Sequence, residues 1–118
     1  MFIQKPWVDY VKSGLKTVEG RTGPLGRYNG VTHLQIFGGD TPFLVEIVEV
    51  RHYDDLFTYI AAEGYRVIAP HTSSNDQALV EYMNITKDNH HIFSQERVKE
   101  RGGINAIQLR GCSPARSI

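Results

Sequence analysis

The octapeptide Gly14-Leu15-Lys16-Thr17-Val18-Glu19-Gly20-Arg21 gathers a turn glycine, an ammonium, a hydroxyl, a carboxylate and a guanidinium into one short span. No other stretch of the chain concentrates so many chemically different polar groups, and the reading of its neighbours follows from it. Before it, Trp7, Val8, Tyr10 and Val11 recur at helical spacing, and Ser13-Gly14 stops that helix. After it, Gly20, Gly23, Pro24, Gly26, Asn29 and Gly30 predict a long turn-rich loop able to approach a ligand closely. Lys16 to Arg21 itself reads as a short strand or extended turn. On a regular strand Thr17, Glu19 and Arg21 share one face and Lys16 points the other way. Lys16 and Glu19 then meet in one cleft only if the strand bends or begins after Lys16. The bland alternative pairs Glu19 with Arg21 to brace the sheet and leaves Lys16 in solvent.

Further along, Val31 to Phe37 and Phe43 to His52 are β-like and are joined by Gly38-Gly39-Asp40 with Pro42, an antiparallel ribbon. Asp54-Asp55 cap a helix in which Leu56, Phe57, Ile60 and Ala61 share a face and Gly64 is the stop. Tyr65 to Pro70 is an apolar connector. Ser74 with Gln77 forms a capping box for a helix carrying Ala78, Leu79, Tyr82 and Met83 on one side. Thr86 to Phe93 is a polar loop, Ser94 to Arg101 a last short helix, and Ile104 to Leu109 the closing strand. Residues 1–111 are one domain and 112–118 a short polar tail. The order β-α-β-β-β-α-α-α-β predicts a small α+β domain whose sheet closes on itself when the last strand pairs with the first ones.

At 118 residues the chain holds one core and not two. Thirteen basic and thirteen acidic residues cancel, so no global field draws it to long nucleic acid or an anionic membrane. The balance hides an asymmetry. Lys5, Lys12, Lys16, Arg21 and Arg27 near the start, and Arg97, Lys99, Arg101, Arg110 and Arg116 near the end, flank a middle rich in Asp and Glu. If the two ends meet, one face is basic and the opposite one acidic. The single cysteine, Cys112, has no internal disulfide partner and fits a reducing compartment; no basic activator stands beside it in sequence. With no signal-peptide pattern and no apolar run of membrane-spanning length, the expected home is the cytoplasm, or the nucleus of a eukaryotic source. No metal-ligand spacing is present, and neither a metal nor a cofactor is expected.

Gly14-x-Lys16-Thr17-x-Glu19-x-Arg21 resembles the signature of the ASCH domain family, a branch of the PUA-like superfold. The lead-in Pro6-Trp7-Val8-Asp9-Tyr10-Val11, the run His52-Tyr53 with Leu56-Phe57, the pair Glu63-Gly64 and the closing Gly103-Ile104-x-Ala106-Ile107-x-Leu109 extend the resemblance over residues 3–110. Gly39-Asp40 departs from it, falling at a hairpin where other members begin a strand. The resemblance implies a β-barrel of about five or six strands with helices around one opening, its cleft lined by the signature and the helix bearing Glu63. It also implies an association with RNA, since similar domains include RNA-binding modules, a ribonuclease, and an amidohydrolase that deacetylates N4-acetylcytidine. Fold alone does not choose among these.

As a binding module, the cleft would use Lys16, Thr17, Glu19 and Arg21, with Tyr28 and Tyr10 to stack on a splayed-out base of RNA or a modified nucleoside. Trp7 is expected in the core. As an amidohydrolase, it would use a Lys16–Glu19–Glu63 cluster to activate water. There Glu19 stands where the similar bacterial enzymes have threonine, so their hydroxyl is missing from its place. As a ribonuclease, Lys16 would be the phosphorane cation with Tyr10 or Ser13 near its rim, but adjacent His90 and His91 point apart on an extended chain. A third class is a protein-interaction module with a vestigial cleft. The retained polar cluster argues for ligand recognition.

Overall fold

In the computed structural model, which describes the backbone of residues 1–114 and the side chains of residues 1–111, the first predicted helix runs Trp7–Lys12 (α1). It buries Trp7, Val8 and Val11, and Gly14 at φ +82° ends it. The chain then enters Val18–Thr22 (β1), crosses the glycine-rich loop, and forms the ribbon His33–Ile36 (β2) and Phe43–Tyr53 (β3). Leu56–Glu63 (α2) starts where Asp55 accepts a hydrogen bond from the Thr58 amide and stops at Gly64, as its sequence predicts. The buried side is nevertheless Leu56, Tyr59 and Ile60. Phe57 is 52% exposed and Ala61 is also outside, because the polar-tipped Tyr59 takes the inner position through a hydroxyl contact described below. The apolar connector is itself a helical turn, Tyr65–Ile68 (α3), and Asn75–Met83 (α4) follows under its Ser74 cap.

The stretch expected as a polar loop is a small hairpin, Thr86–Lys87 (β4) and His90–His91 (β5). Asp88 and Asn89 turn it at φ +53° and +64°, the pair of positive values that suits a tight two-residue connection. Gln95–Glu100 (α5), capped by Ser94, leads to Ile104–Pro114 (β6). That last strand is longer than expected. Cys112, Ser113 and Pro114 belong by backbone to the sheet and not to a tail, and residues 115–118 lie outside the described residues.

The main sheet is antiparallel, in the order β1-β6-β3-β2. The last strand does pair with the first, as expected, but from the middle of the sheet. Ile104 to Ile107 are accordingly buried in succession, since a central strand covered on both sides has no solvent face. Register shifts between Leu44 and Glu46, where Gly111 stands at φ +70°, and between Ile47 and Glu49 curl the long β3–β6 ladder. The result is a mixed α+β fold with a half-barrel sheet, in place of the closed barrel of five or six strands anticipated.

β1 and β2 remain edges, and the first three residues stand between them. Ile3 donates its amide to Phe37, Phe37 donates to Met1, and the Arg21 guanidinium of β1 donates to the Phe2 carbonyl. Exposed backbone at an edge is satisfied here without strand closure. Among the described residues no helix is long and apolar enough to cross a membrane.

Gly38 makes this seam possible. It has φ +112°, and a Cβ there would lie 1.9 Å from the Ile3 carbonyl oxygen. Gly38→Ala is expected to destabilise the fold by about 3 kcal/mol or more, since both the dihedral and the backbone contact resist it. A drop in urea midpoint at constant slope checks this.

Candidate functional site

β1 begins at Val18, after Lys16, which is one of the two conditions for Lys16 and Glu19 to meet. The Lys16 side chain turns inward and is completely buried, so the solvated-lysine reading fails. Its Nζ donates to the carbonyls of Val18 and Ile68, both at 2.6 Å, lies 3.3 Å from the Tyr82 hydroxyl and 3.4 Å from Glu19 Oε1. It also sits 5.3 Å from the Trp7 ring centroid and 5.8 Å from that of Tyr82. An ammonium has three donors, and these four acceptors use them all. Lys16 therefore has no hydrogen left for a ligand and acts on its surroundings through Glu19. Burial pushes its pKa down, and the charge and hydrogen bond of Glu19 oppose that shift.

Glu19 is gripped from both sides, because its Oε2 accepts from Arg21 Nε at 3.2 Å and Nη2 at 3.0 Å. Glu19 and Arg21 share a strand face as the two-residue spacing predicts. Behind them the hydroxyls of Tyr82 and Tyr59 are 2.7 Å apart, and burial raises the pKa of both phenols. Gly20 leaves room for this pair: a Cβ on it would fall 2.6 Å from the Tyr59 oxygen. Tyr82 meets Phe93 edge-on at 5.1 Å and Trp7 at 5.3 Å.

In front of Glu19 opens a cleft of about 480 Å³, within the usual range for small-molecule sites. Its floor is aromatic and aliphatic, with Trp7, Tyr82 and Phe93, and its polar rim carries Arg21, Arg27 and Tyr28. Tyr28 lines the cleft but is half-buried, packed against the core. Trp7 is a core residue that also shows an edge to the cleft.

Three predicted residues stand elsewhere. Glu63 pairs with Arg51, which donates from Nη2 to Oε1 at 2.7 Å and from Nε to Oε2 at 2.8 Å, and it also accepts from the Tyr53 hydroxyl. A bidentate arginine fork holds it on the β3 side, so the Lys16–Glu19–Glu63 cluster does not assemble. Tyr10 stacks on His71 at 5.0 Å and 13°, away from the cleft lining. Thr17 is taken up by the backbone, its amide on Val67 and its carbonyl on the Leu109 amide. Ser13 is exposed and bonds the Tyr10 carbonyl, and His91 bonds the Met83 carbonyl. Among the described residues no three His, Cys, Asp or Glu side chains converge on a metal position.

The chain ends do meet, since β1 pairs with β6, and Arg21, Arg27 and Arg101 all reach the cleft. The expected acidic face is largely neutralised: Glu46 pairs with Arg110, Glu49 and Glu63 with Arg51, and Asp40 with Lys5. Sequence reading missed Tyr82, Phe93, Lys87 and Arg101 as cleft residues. Asp88-Asn89 was the available signal for the hairpin that carries Lys87.

The geometry defines a small α+β domain with a curled antiparallel sheet and an acid-based cleft beside its first strand. No family model matches the chain, and no curated protein does. Solved structures similar in fold include the following two. The crystal structure of hypothetical protein PH0355 is 22% identical, with 92% of this chain and 94% of that one covered and a TM-score of 0.68. The solution NMR structure of protein PF0455 from Pyrococcus furiosus is 21% identical over 92% of each chain, with a TM-score of 0.60. Both share the architecture over nearly the whole chain.

Two outcomes are expected from this geometry. Lys16→Met would strand Glu19 and two buried carbonyls and cost about 3–5 kcal/mol by urea denaturation, and adding Glu19→Gln would recover part of it. Glu63 is held below its ordinary value of 4.5, first by the Arg51 hydrogen bonds, with burial opposing. Its contribution is therefore fully present above that value and lost as pH falls through the lower folded-state value. Glu63→Gln should cost about 1.5–3 kcal/mol at pH 7 and flatten the acid limb of the stability profile.

Proposed function

We propose that this chain is an ASCH-type, PUA-like domain that recognises RNA or a modified nucleoside in the cleft before Glu19. The observation that carries the reading is a carboxylate gripped by Lys16 and Arg21 at the polar end of an aromatic-floored cleft. A carboxylate accepts and does not donate, so it suits a ring N–H or an exocyclic amine of a base. Tyr28 offers a ring face, and Arg27 an exposed cation at the rim. A base enters such a cleft only when unstacked, which favours a single strand, a loop or a free nucleoside. The octapeptide resemblance supports the same reading, because its Glu19 and Arg21 line the cleft and its Lys16 holds Glu19 from behind.

A binding role is preferred to hydrolysis on two grounds. The hydrolase reading draws on Lys16, Glu19 and Glu63 together, and Glu63 is engaged with Arg51 and Tyr53. Lys16 has its hydrogens committed to internal acceptors.

Trp7 is the chain's single tryptophan and lines the cleft, so its fluorescence reports on occupancy. Titration with cytidine, guanosine, N4-acetylcytidine and a short single-stranded RNA is expected to give saturable quenching by at least one. Tyr28→Ala should weaken it about 5- to 100-fold, the range of a lost base–aromatic stack, with a modest drop in melting temperature because Tyr28 also packs against the core. Glu19→Gln should abolish the preference among bases. Mass spectrometry of the same mixtures should return the probes intact; release of acetate or RNA fragments would make the domain an enzyme. No quenching by any probe would leave the protein-interaction reading standing.

A further inference from the structure

A second pocket, of about 280 Å³, adjoins the cleft and shares Lys87, Ile92 and Arg101 with it. Its remaining walls are Asp88 and His90 from the β4–β5 hairpin and Arg97 from α5. Lys87 and His90 are directly opposed across the hairpin, so their side chains stand together on one face. Arg97 and Arg101 are four residues apart, one on α5 and one at its C-terminal cap, and both reach this pocket. Like charges at that spacing repel. Asp88 is the pocket's carboxylate, against three permanent cations.

Five cations elsewhere in the chain are paired. Lys5, Lys16, Arg21, Arg51 and Arg110 each have a carboxylate within 4 Å. Among the described residues, Arg27, Lys87, Arg97 and Arg101 make no such pair. All four line the cleft or the pocket beside it. Lys12, Arg66 and Lys99 also lack such a pair among the described residues but stand outside both pockets, so four of seven unpaired cations lie along one track. The track starts at Arg27 on the cleft rim and ends at Arg97.

We propose that the second pocket is a phosphate subsite, so that the ligand is a nucleotide or a phosphodiester-linked strand and not a free nucleoside. The inference rests on the cleft being a base site. With the base against Glu19, the adjacent sugar carries its phosphate out past Lys87 and Arg101 into the pocket, where Arg97 presents a guanidinium that forks onto phosphate oxygens. The hairpin and α5 thereby read the backbone while β1 reads the base. Division of labour between backbone positioning and base readout is general in nucleic-acid recognition.

The test compares each of the four common ribonucleosides with its 3′- and 5′-monophosphate and with the corresponding dinucleoside phosphate, by Trp7 fluorescence. It uses the wild-type chain, Arg97→Gln, and Lys99→Gln as a cation control on the same helix outside the pocket. The expected result is at least 10-fold tighter binding of one phosphorylated series. That gain should fall with salt at a slope of about −0.7 per phosphate contact. Arg97→Gln should remove about 5- to 10-fold of it, leaving nucleoside affinity unchanged, and Lys99→Gln should alter neither. Equal binding of nucleoside and nucleotide, or equal losses in the two variants, overturns the phosphate subsite while the base cleft stands. Absence of binding by every probe overturns both.

Discussion

The buried ammonium of Lys16 is the constraint on which the rest of the site depends. Its hydrogen bonds reach the carbonyl of Val18 at the start of β1, that of Ile68 at the end of α3, and the Tyr82 hydroxyl on α4. Three separate parts of the chain are thus tied to one charge. Desolvating an ammonium is costly, and the cost is offset here by carbonyls at short range, two aromatic faces and Glu19. The cost is greatest below the lowered pKa and fades as pH climbs toward 10.5. The consequence for the cleft is that Glu19 has a fixed position. A carboxylate held between Lys16 and Arg21 is a preorganised acceptor, so a ligand need not order it on binding.

The same arrangement explains why the aromatic groups pack as they do. Tyr82 touches Trp7, Tyr59 and Phe93 while its hydroxyl meets both Lys16 and Tyr59. Each buried phenol has a partner for its oxygen, and the rings form the floor on which the cleft rests. Around this centre the half-barrel is completed by small local devices. Asn105, buried on β6, donates to the carbonyls of Gly23 and Pro24 and so anchors the glycine-rich loop that carries Arg27 and Tyr28. His52 contacts the Gly23 and Gly102 carbonyls from the neighbouring strand.

Local signals in the sequence were legible at the helix caps and stops, though the Asp88-Asn89 hairpin reads there as a loop. Asp55, Ser74 and Ser94 each cap the helix that follows, and Gly14 and Gly64 end the helices before them. The ribbon β2–β3 could be read from its turn and its branched residues. The octapeptide marked the place of Glu19 and Arg21, and their two-residue spacing put them on one face. The inward side of α2 was misread because Phe57 is the more apolar choice, whereas Tyr59 wins the inner position through Tyr82, a residue 23 positions away. Glu63 was misplaced for the same reason: Arg51, not anything beside it in sequence, determines where it points.

The sequence by itself determined the types of the longer strands and helices, the caps, the strand-bearing signature and the presence of basic residues at both ends. Tertiary structure decided which charges neutralise each other and which remain. Arg110 reaches across strands to Glu46 and Arg51 reaches from β3 to Glu63 on α2, while Arg27, Lys87, Arg97 and Arg101 converge from three separate segments. It also decided that Lys16 faces inward and that the sheet stays open between β1 and β2. Helix caps and turns depend on bonds within a few residues, which a linear reading contains. Ion pairing and burial depend on distances between residues far apart in the chain, which only the packed sheet and helices establish.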